Sequence, residues 1–171
     1  MSDQGYDSRP ATRNHQLRVQ SLLTPIIGEL RKRALHHDQS KMEPPELEIF
    51  DEYTPKLKAT TYGSDEYRGY LEAMGDGLLH HYEHNRHHPE HFPDGINAMT
   101  LVDLLEMLAD WKAATERHDD GSMSRSFAIQ RERFGISDQL FEILTNTAVE
   151  YGWYTAIAEE PIPADYADSA K

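Results

Sequence analysis

Apolar residues recur at helical spacing along most of the chain, and few segments alternate in the way that a β-strand requires. The pattern predicts helices over residues 12–23 and 25–40. A third helix is predicted in PPELEIFDEYTPKLKA, where Pro44 and Pro45 suit a helix N-terminus. We therefore expect an all-α fold built as a single-domain helical bundle.

The second half of the chain carries clearer start and stop signals. A long fourth helix is predicted from a cap at Ser64 or Asp65 to about His88, where a proline stops it. A fifth helix follows Thr100, which forms a capping-box-like pair with Asp103. Because that helix is apolar on nearly every side, we expect it to be the most buried element.

The polar composition of both ends sets the predicted domain bounds. Residues 1–12 are predicted to be a loose N-terminal end, residues 13–155 the helical domain, and residues 156–171 a flexible tail. Within the domain, the last helix is predicted from residue 137 to about residue 151. A length of 171 residues suits one domain with a sizeable core.

Composition narrows the partners and the location. Seventeen basic and 30 acidic residues give a formal charge of −13, which should repel a nucleic-acid duplex. A small anionic phosphoester substrate remains compatible with this charge, because bound divalent cations would make the local potential positive. No apolar stretch has the length of a membrane span, and the N-terminal residues do not resemble a secretory signal. We expect a cytoplasmic protein without a membrane partner; the sequence is also compatible with a homo-oligomer.

The chain contains no cysteine, so any transition metal must be held by imidazole and carboxylate groups. Six of the ten histidines lie within one twelve-residue window. On a helical wheel they form two stripes, one with His81, His84 and His88 and the other with His80, His87 and His91. We prefer His81 and His88 as ligands because they continue the apolar edge of the predicted helix. His80, His84 and His87 remain alternatives, and so does a merely solvated histidine-rich helix.

Two further features favour a metal site. His37 and Asp38 are adjacent, lie at the end of an apolar helix and precede Lys41; a polar helix end with histidine near the helix dipole is the simpler interpretation. Asp110 lies late in the apolar fifth helix, where a buried acid needs a metal or an ion pair. On the same side, Glu106 is a candidate to support a ligand.

In chain order, His15, the His37-Asp38 pair, the cluster with His81 and His88, and Asp110 resemble the H…HD…H…H…D signature of HD-domain proteins. The segment KRALHHDQSK resembles the HDxxK end of that family's first-histidine region, and MTLVDLLEMLADWKAAT resembles its final-aspartate helix. Over residues 14–152 the chain is most similar to an uncharacterised HD-like family of bacteria and phages.

The resemblance implies a metal-dependent phosphohydrolase of a nucleotide or related small phosphoester. It implies that one metal is bound by His15, His37, Asp38 and Asp110, and that His81 and His88 complete a two-metal site for divalent Mn, Fe, Co, Ni or Zn. Asp38 and Lys41 would be the catalytic residues, with Lys41 orienting a phosphate. Other candidates for phosphate contacts are Lys112, Arg117, Arg125, Arg131 and Arg133. The alternatives are a di-iron oxygenase of the HD fold and a non-catalytic, metal-stabilised binding protein.

Overall fold

The computed structural model describes residues 6–61, 64–117 and 121–155, and within these ranges the chain is helical, without a β-strand. This confirms the all-α fold. The helices are α1 (Arg9–His36), α2 (Glu46–Ala59), α3 (Asp65–His84), α4 (Leu101–Thr115), α5 (Met123–Arg133) and α6 (Asp138–Glu150), with short 3₁₀ turns at Gln39–Met42, Pro89–His91 and Gly95–Ala98. None of the described helices is long and apolar enough to cross a membrane.

The helical structure of the first 36 residues differs from the prediction in the number of helices, in where the helix begins and in where it ends. One helix, α1, replaces the two that were predicted, because it continues through Pro25; a proline ring fits a helical φ and removes a single backbone N–H. The helix begins at Arg9, so residues 9–12 are helical rather than loose. It ends at His36 rather than near Ser40, because His37 leaves the helical conformation with a ψ of 128°, and Asp38 follows in a left-handed conformation with a φ of 59°.

The chain divides into two compact units between His37 and Asp38. Unit 1 contains α1, and unit 2 contains α2 to α6. The predicted domain bounds of 13–155 stay a prediction, and the predicted tail, residues 156–171, lies outside the described residues.

Within unit 2, α2 and α3 pack closely against each other. Gly77 of α3 lies against Ile49 of α2, and a Cβ at this glycine would overlap the isoleucine side chain. Ser64 is the N-cap of helix α3, as predicted: its hydroxyl accepts a hydrogen bond from the backbone amide of Tyr67. The close approach brings the start of α2 next to the last turn of α3.

The core of unit 2 forms around α4, which the sequence predicted to be the most buried element. Leu104, Met107, Leu108 and Trp111 are buried there, and they pack with side chains of α5 and α6 that include Phe127, Leu144 and Ala148. Thr100 and Asp103 form the predicted capping box. The helix is less enclosed than expected on one side, where Leu101 is 75% exposed.

Candidate metal centre

Four side chains of unit 2 converge where the start of the unit meets the end of α3. Asp38, His81, His87 and His88 each offer one oxygen or nitrogen, and these four atoms all lie within 4.8 Å of one another. His81 and His87 are buried, and the other two are partly buried. Such a group of three imidazoles and one carboxylate has the composition of a site for a divalent transition metal.

The separations between these atoms fit a small coordination shell. Four ligands at about 2.0 to 2.1 Å from a tetrahedral ion lie about 3.3 to 3.4 Å apart. Oδ1 of Asp38 is 3.4 Å from Nε2 of His81 and 3.5 Å from Nε2 of His87. Nε2 of His81 and Nε2 of His88 are 2.9 Å apart, so that pair would have to open by a few tenths of an ångström. The residues present therefore fit a metal ion.

The local fold beyond α3 explains why two neighbouring histidines enter the group. The predicted helix to His88 is too long: α3 ends at His84, and Asn85 adopts an extended conformation. The side-chain Nδ2 of Asn85 donates to the backbone carbonyl oxygen of His81 at 2.8 Å, which stabilises this turn. Because the helix has ended, His87 no longer follows the wheel and its ring lies beside that of His88, with centroids 4.1 Å apart.

Glu46, at the start of α2, fixes the orientation of His81. Its side chain is fully buried; Oε2 is 2.9 Å from Nδ1 of His81, and Oε1 is 2.7 Å from Nδ1 of His80. Ser40 also donates to Oε2, at 2.9 Å, and it accepts a hydrogen bond from Asn85. A carboxylate can only accept, so Nδ1 of His81 carries the proton and Nε2 presents a lone pair to the group.

His87 has a second carboxylate behind it. Nδ1 of His87 lies 3.4 Å from Oε1 of Glu106 on α4, while its Nε2 faces Asp38. Glu106 therefore has the supporting position that the sequence suggested for it. Carboxylates that bind the outer nitrogen of a metal-ligating imidazole fix its tautomer and raise its basicity.

The environment keeps the imidazoles of His81 and His88 neutral. Burial lowers the pKa of His81 to about 4, with the Lys41 charge acting in the same direction. Burial also lowers the pKa of His88 to about 2, with His87 and His81 contributing. Burial raises the pKa of Glu46, but the hydrogen bonds from His80, Ser40 and His81 more than offset this, so the pKa is lowered overall. Neutral imidazoles and ionised carboxylates are the forms that bind metals.

Lys41 lies at the edge of the group, on the 3₁₀ turn Gln39–Met42. Its ammonium is 2.7 Å from Oδ2 of Asp38 and 4.7 Å from the centre of the Phe50 ring. Asp38 and Lys41 both line a cavity of about 690 Å³. Through Asp38, the group therefore borders a space large enough for a small-molecule ligand.

The structure brings together three of the six predicted ligands, Asp38, His81 and His88, and adds His87. Asp110 lies beside this group on α4, with a carboxylate oxygen within 4.8 Å of a ring nitrogen of His87, and its charge acts on His88. His15 is an exposed residue of α1, and His37 is the residue that caps its C-terminus. The ligand roles of His15, His37 and Asp110 stay predictions from the resemblance.

The other histidines of the cluster have different surroundings. His80 reaches Glu46 with Nδ1. His84 is exposed and stacks on His80, with ring centroids 3.9 Å apart. His91 has Nδ1 at 3.1 Å from the carbonyl oxygen of Tyr82.

The comparison with protein families matched residues 4–150 to a family of unknown function, DUF5662. This chain belongs to that family. Searches of curated proteins and of solved structures gave no match. The description of DUF5662 names no activity, so the geometry of the site is the basis for a functional proposal.

Two residues of the candidate site in this DUF5662 member, Glu46 and His87, are not among the ligands and supporting residues that the sequence favours. A glutamate in the first turn of a helix is ordinary, so the sequence gives no reason to single out Glu46. The helical wheel ranks His87 below His81 and His88 because it extends the helix past His84, where α3 ends. The sequence signal for both is Asn85, which ends α3 and donates to Ser40 beside Glu46.

The candidate phosphate contacts also separate into two groups. Arg117 and Arg125 line the same cavity as Lys41. Three others form ion pairs and are not among the residues that line it: Lys112 pairs with Glu116, Arg131 with Asp138, and Arg133 with Glu90.

Proposed function

We propose that the chain is a metal-dependent phosphohydrolase that acts on a nucleotide or related small phosphoester, as the resemblance to HD-domain proteins implies. The observation that carries this proposal is the convergence of Asp38 and three imidazoles beside Lys41, at the wall of a cavity of about 690 Å³. A phosphohydrolase of this kind needs metal ligands, a cation for the phosphate and space for the substrate, and the three features lie next to one another in unit 2.

The ligands that we propose from the geometry are Asp38, His81, His87 and His88. His81 and His87 would bind through Nε2, because Glu46 and Glu106 lie at their opposite nitrogens. His88 would bind through the Nε2 that lies 2.9 Å from that of His81. His15, His37 and Asp110 remain candidates for the larger ligand set that the resemblance implies. A bound divalent ion would lower the pKa of a water ligand towards neutrality and stabilise negative charge on phosphate oxygens.

The chain's own groups would position the substrate. Asp38 directs Oδ1 to the imidazoles and Oδ2 to Lys41, so that one carboxylate links the metal-binding atoms to the cation. The Lys41 ammonium would donate charge-assisted hydrogen bonds to phosphate oxygens. Phe50 beneath this ammonium limits its freedom and favours one orientation.

The test is metal analysis of the purified protein followed by a screen of nucleotides and phosphomonoesters with added Mn²⁺, Co²⁺ or Ni²⁺. We expect phosphate release that is lost with a chelator, restored by a divalent ion and independent of O₂. An Asp38→Asn variant should be inactive under the same conditions. Oxygen consumption without phosphate release would contradict the proposal and favour the di-iron oxygenase instead.

A further inference from the structure

The cavity next to the metal centre extends well beyond it. Helix α2 contributes one face to the wall, with Phe50, Thr54, Leu57 and Lys58 at spacings of four, three and one residues. Helices α3, α4 and α5 add further side chains. The lining includes four cations, Lys41, Lys58, Arg117 and Arg125, and two carboxylates, Asp38 and Asp51. The wall therefore favours anions although the whole chain is strongly acidic.

Two of these cations lie at opposite ends of the α2 face. The Lys41 ammonium lies over the Phe50 ring. Lys58 follows Phe50 by eight residues on the same helix, which corresponds to about 12 Å along the helix axis. A ligand with its phosphate beside Lys41 would therefore have to be about that long to reach Lys58.

Arg117 belongs to the end of the cavity that contains Lys58. Helices α2 and α3 run antiparallel, since Glu46 contacts His80 while Tyr53 lies opposite Tyr70, with ring centroids 6.3 Å apart. This register places Tyr67 level with the last turn of α2. Tyr67 and Arg117 both line the cavity, and the Arg117 charge acts on the Tyr67 phenol, opposing the rise in its pKa that burial causes.

The cavity wall also carries apolar and aromatic side chains, alongside polar ones. It includes Phe50, Leu57, Tyr67 and Trp111, of which Trp111 is almost fully buried. Such side chains suit an uncharged linking group, and the cationic side chains at the two ends would fix the position of a ligand that carries an anionic group at each end.

We infer that the substrate is a phosphoester that carries a second anionic group at its opposite end. Lys58 and Arg117 bind that distal group while the ester phosphate lies beside Lys41. This inference rests on the proposed function for the position of the ester phosphate. It adds a requirement for two anionic groups separated by roughly the length of the α2 face, about 12 Å.

The experiment measures equilibrium binding of alkane bisphosphonates, which have one phosphonate at each end and cannot be hydrolysed. Ethane-, butane-, hexane- and octane-bisphosphonate are compared with hexylphosphonate by calorimetry, with Zn²⁺-loaded protein and with chelator-treated protein. We expect the hexane or octane compound to bind at least about ten-fold more tightly than hexylphosphonate, the effect of one added charge-assisted hydrogen bond. The shorter bisphosphonates should lack this advantage.

The variants Lys58→Gln and Arg117→Gln should each reduce the advantage of the long bisphosphonate without changing the affinity for hexylphosphonate. Lys56→Gln is the matched control on α2, because this lysine pairs with Glu52 and is not among the residues that line the cavity. A bisphosphonate advantage that survives in both cavity variants would overturn the inference, as would an equal affinity for every compound.

Binding can also be located within the molecule. The chain has two tryptophans, so a Trp153→Phe variant leaves Trp111 on the cavity wall as the single reporter. We expect hexane-bisphosphonate to change its fluorescence, and an unchanged signal at saturation would contradict binding in this cavity.

The failure of this inference is distinguishable from the failure of the proposed function. If phosphomonoesters are hydrolysed but the bisphosphonates show no length preference, the inference is wrong and the phosphohydrolase proposal stands. If the length preference depends on Lys58 and Arg117 but no phosphoester is hydrolysed, the cavity binds a ligand with two separate anionic groups and the phosphohydrolase proposal is wrong.

Discussion

The Glu46 carboxylate accepts a hydrogen bond from Nδ1 of His81 at 2.9 Å, and this contact determines which ring nitrogen faces Asp38. The same carboxylate accepts from His80 through its other oxygen. An amide at this position would offer only one accepting oxygen, so its N–H₂ would face one of the two imidazoles, which would have to give up the proton on Nδ1. Glu46 thus acts on the candidate metal centre through His81 without being one of its candidate ligands.

The first prediction follows from this role. Glu46→Gln should weaken Zn²⁺ binding by about 10- to 100-fold, the usual effect of losing the carboxylate behind a metal-ligating imidazole. Competition with a chromophoric chelator measures the affinity. Glu48→Gln, an exposed position on the same helix, is the control and should bind Zn²⁺ as the unmodified chain does. Equal affinities for the two variants would show that Glu46 does not support the centre.

Some parts of the fold could be predicted from local sequence alone. Thr100 and Asp103 form a capping box because both partners lie within one turn of each other, and Ser64 caps α3 for the same reason. The burial of α4 follows from its composition, since a helix with apolar residues on most sides must be covered by its neighbours.

The parts that could not be predicted depend on contacts between distant segments or on a single backbone angle. Glu46 and His81 are 35 positions apart and meet because α2 and α3 pack closely at Gly77. The end of α1 depends on the ψ of His37, which at 128° is no longer helical. His87 joins the group because α3 ends at His84, and helical periodicity gives no information beyond the last turn of a helix.

The second prediction separates the histidines of the cluster. His81→Gln should abolish high-affinity Zn²⁺ binding, because its Nε2 lies within 3.4 Å of Asp38 and 2.9 Å of the ring nitrogen of His88. His84→Gln should have no effect, since Nδ1 of His84 faces the carbonyl oxygen of His80 in its own helix. Both affinities are measured by chelator competition. A loss of binding in the His84 variant would mean that the metal is held on the exposed face of α3.

The third prediction concerns the core of unit 2. Leu108 on α4 has no exposed surface, so Leu108→Ala should lower the free energy of unfolding by about 2 to 5 kcal/mol. Leu101, on the same helix, is 75% exposed, and Leu101→Ala should change it by no more than about 0.5 kcal/mol. Urea denaturation followed by circular dichroism measures both. Similar values for the two variants would contradict the orientation of α4.

The last prediction separates the roles of Asp38 and Lys41. Asparagine tolerates the left-handed backbone of residue 38, whereas alanine is strained there by about 1 kcal/mol or more, so Asp38→Asn removes the charge with the smaller effect on folding. In the metal-loaded protein, Asp38→Asn should abolish phosphate release because a metal ligand is lost. Lys41→Ala should reduce turnover by about 10- to 1000-fold and retain the metal, because the ammonium acts on the substrate and not on the ion. Phosphate release and metal content are measured on the same samples, with Lys56→Ala as a control that should match the unmodified chain. If Lys41→Ala loses the metal as well, its ion pair with Asp38 serves to hold the carboxylate in place, and its assigned contact with phosphate is wrong.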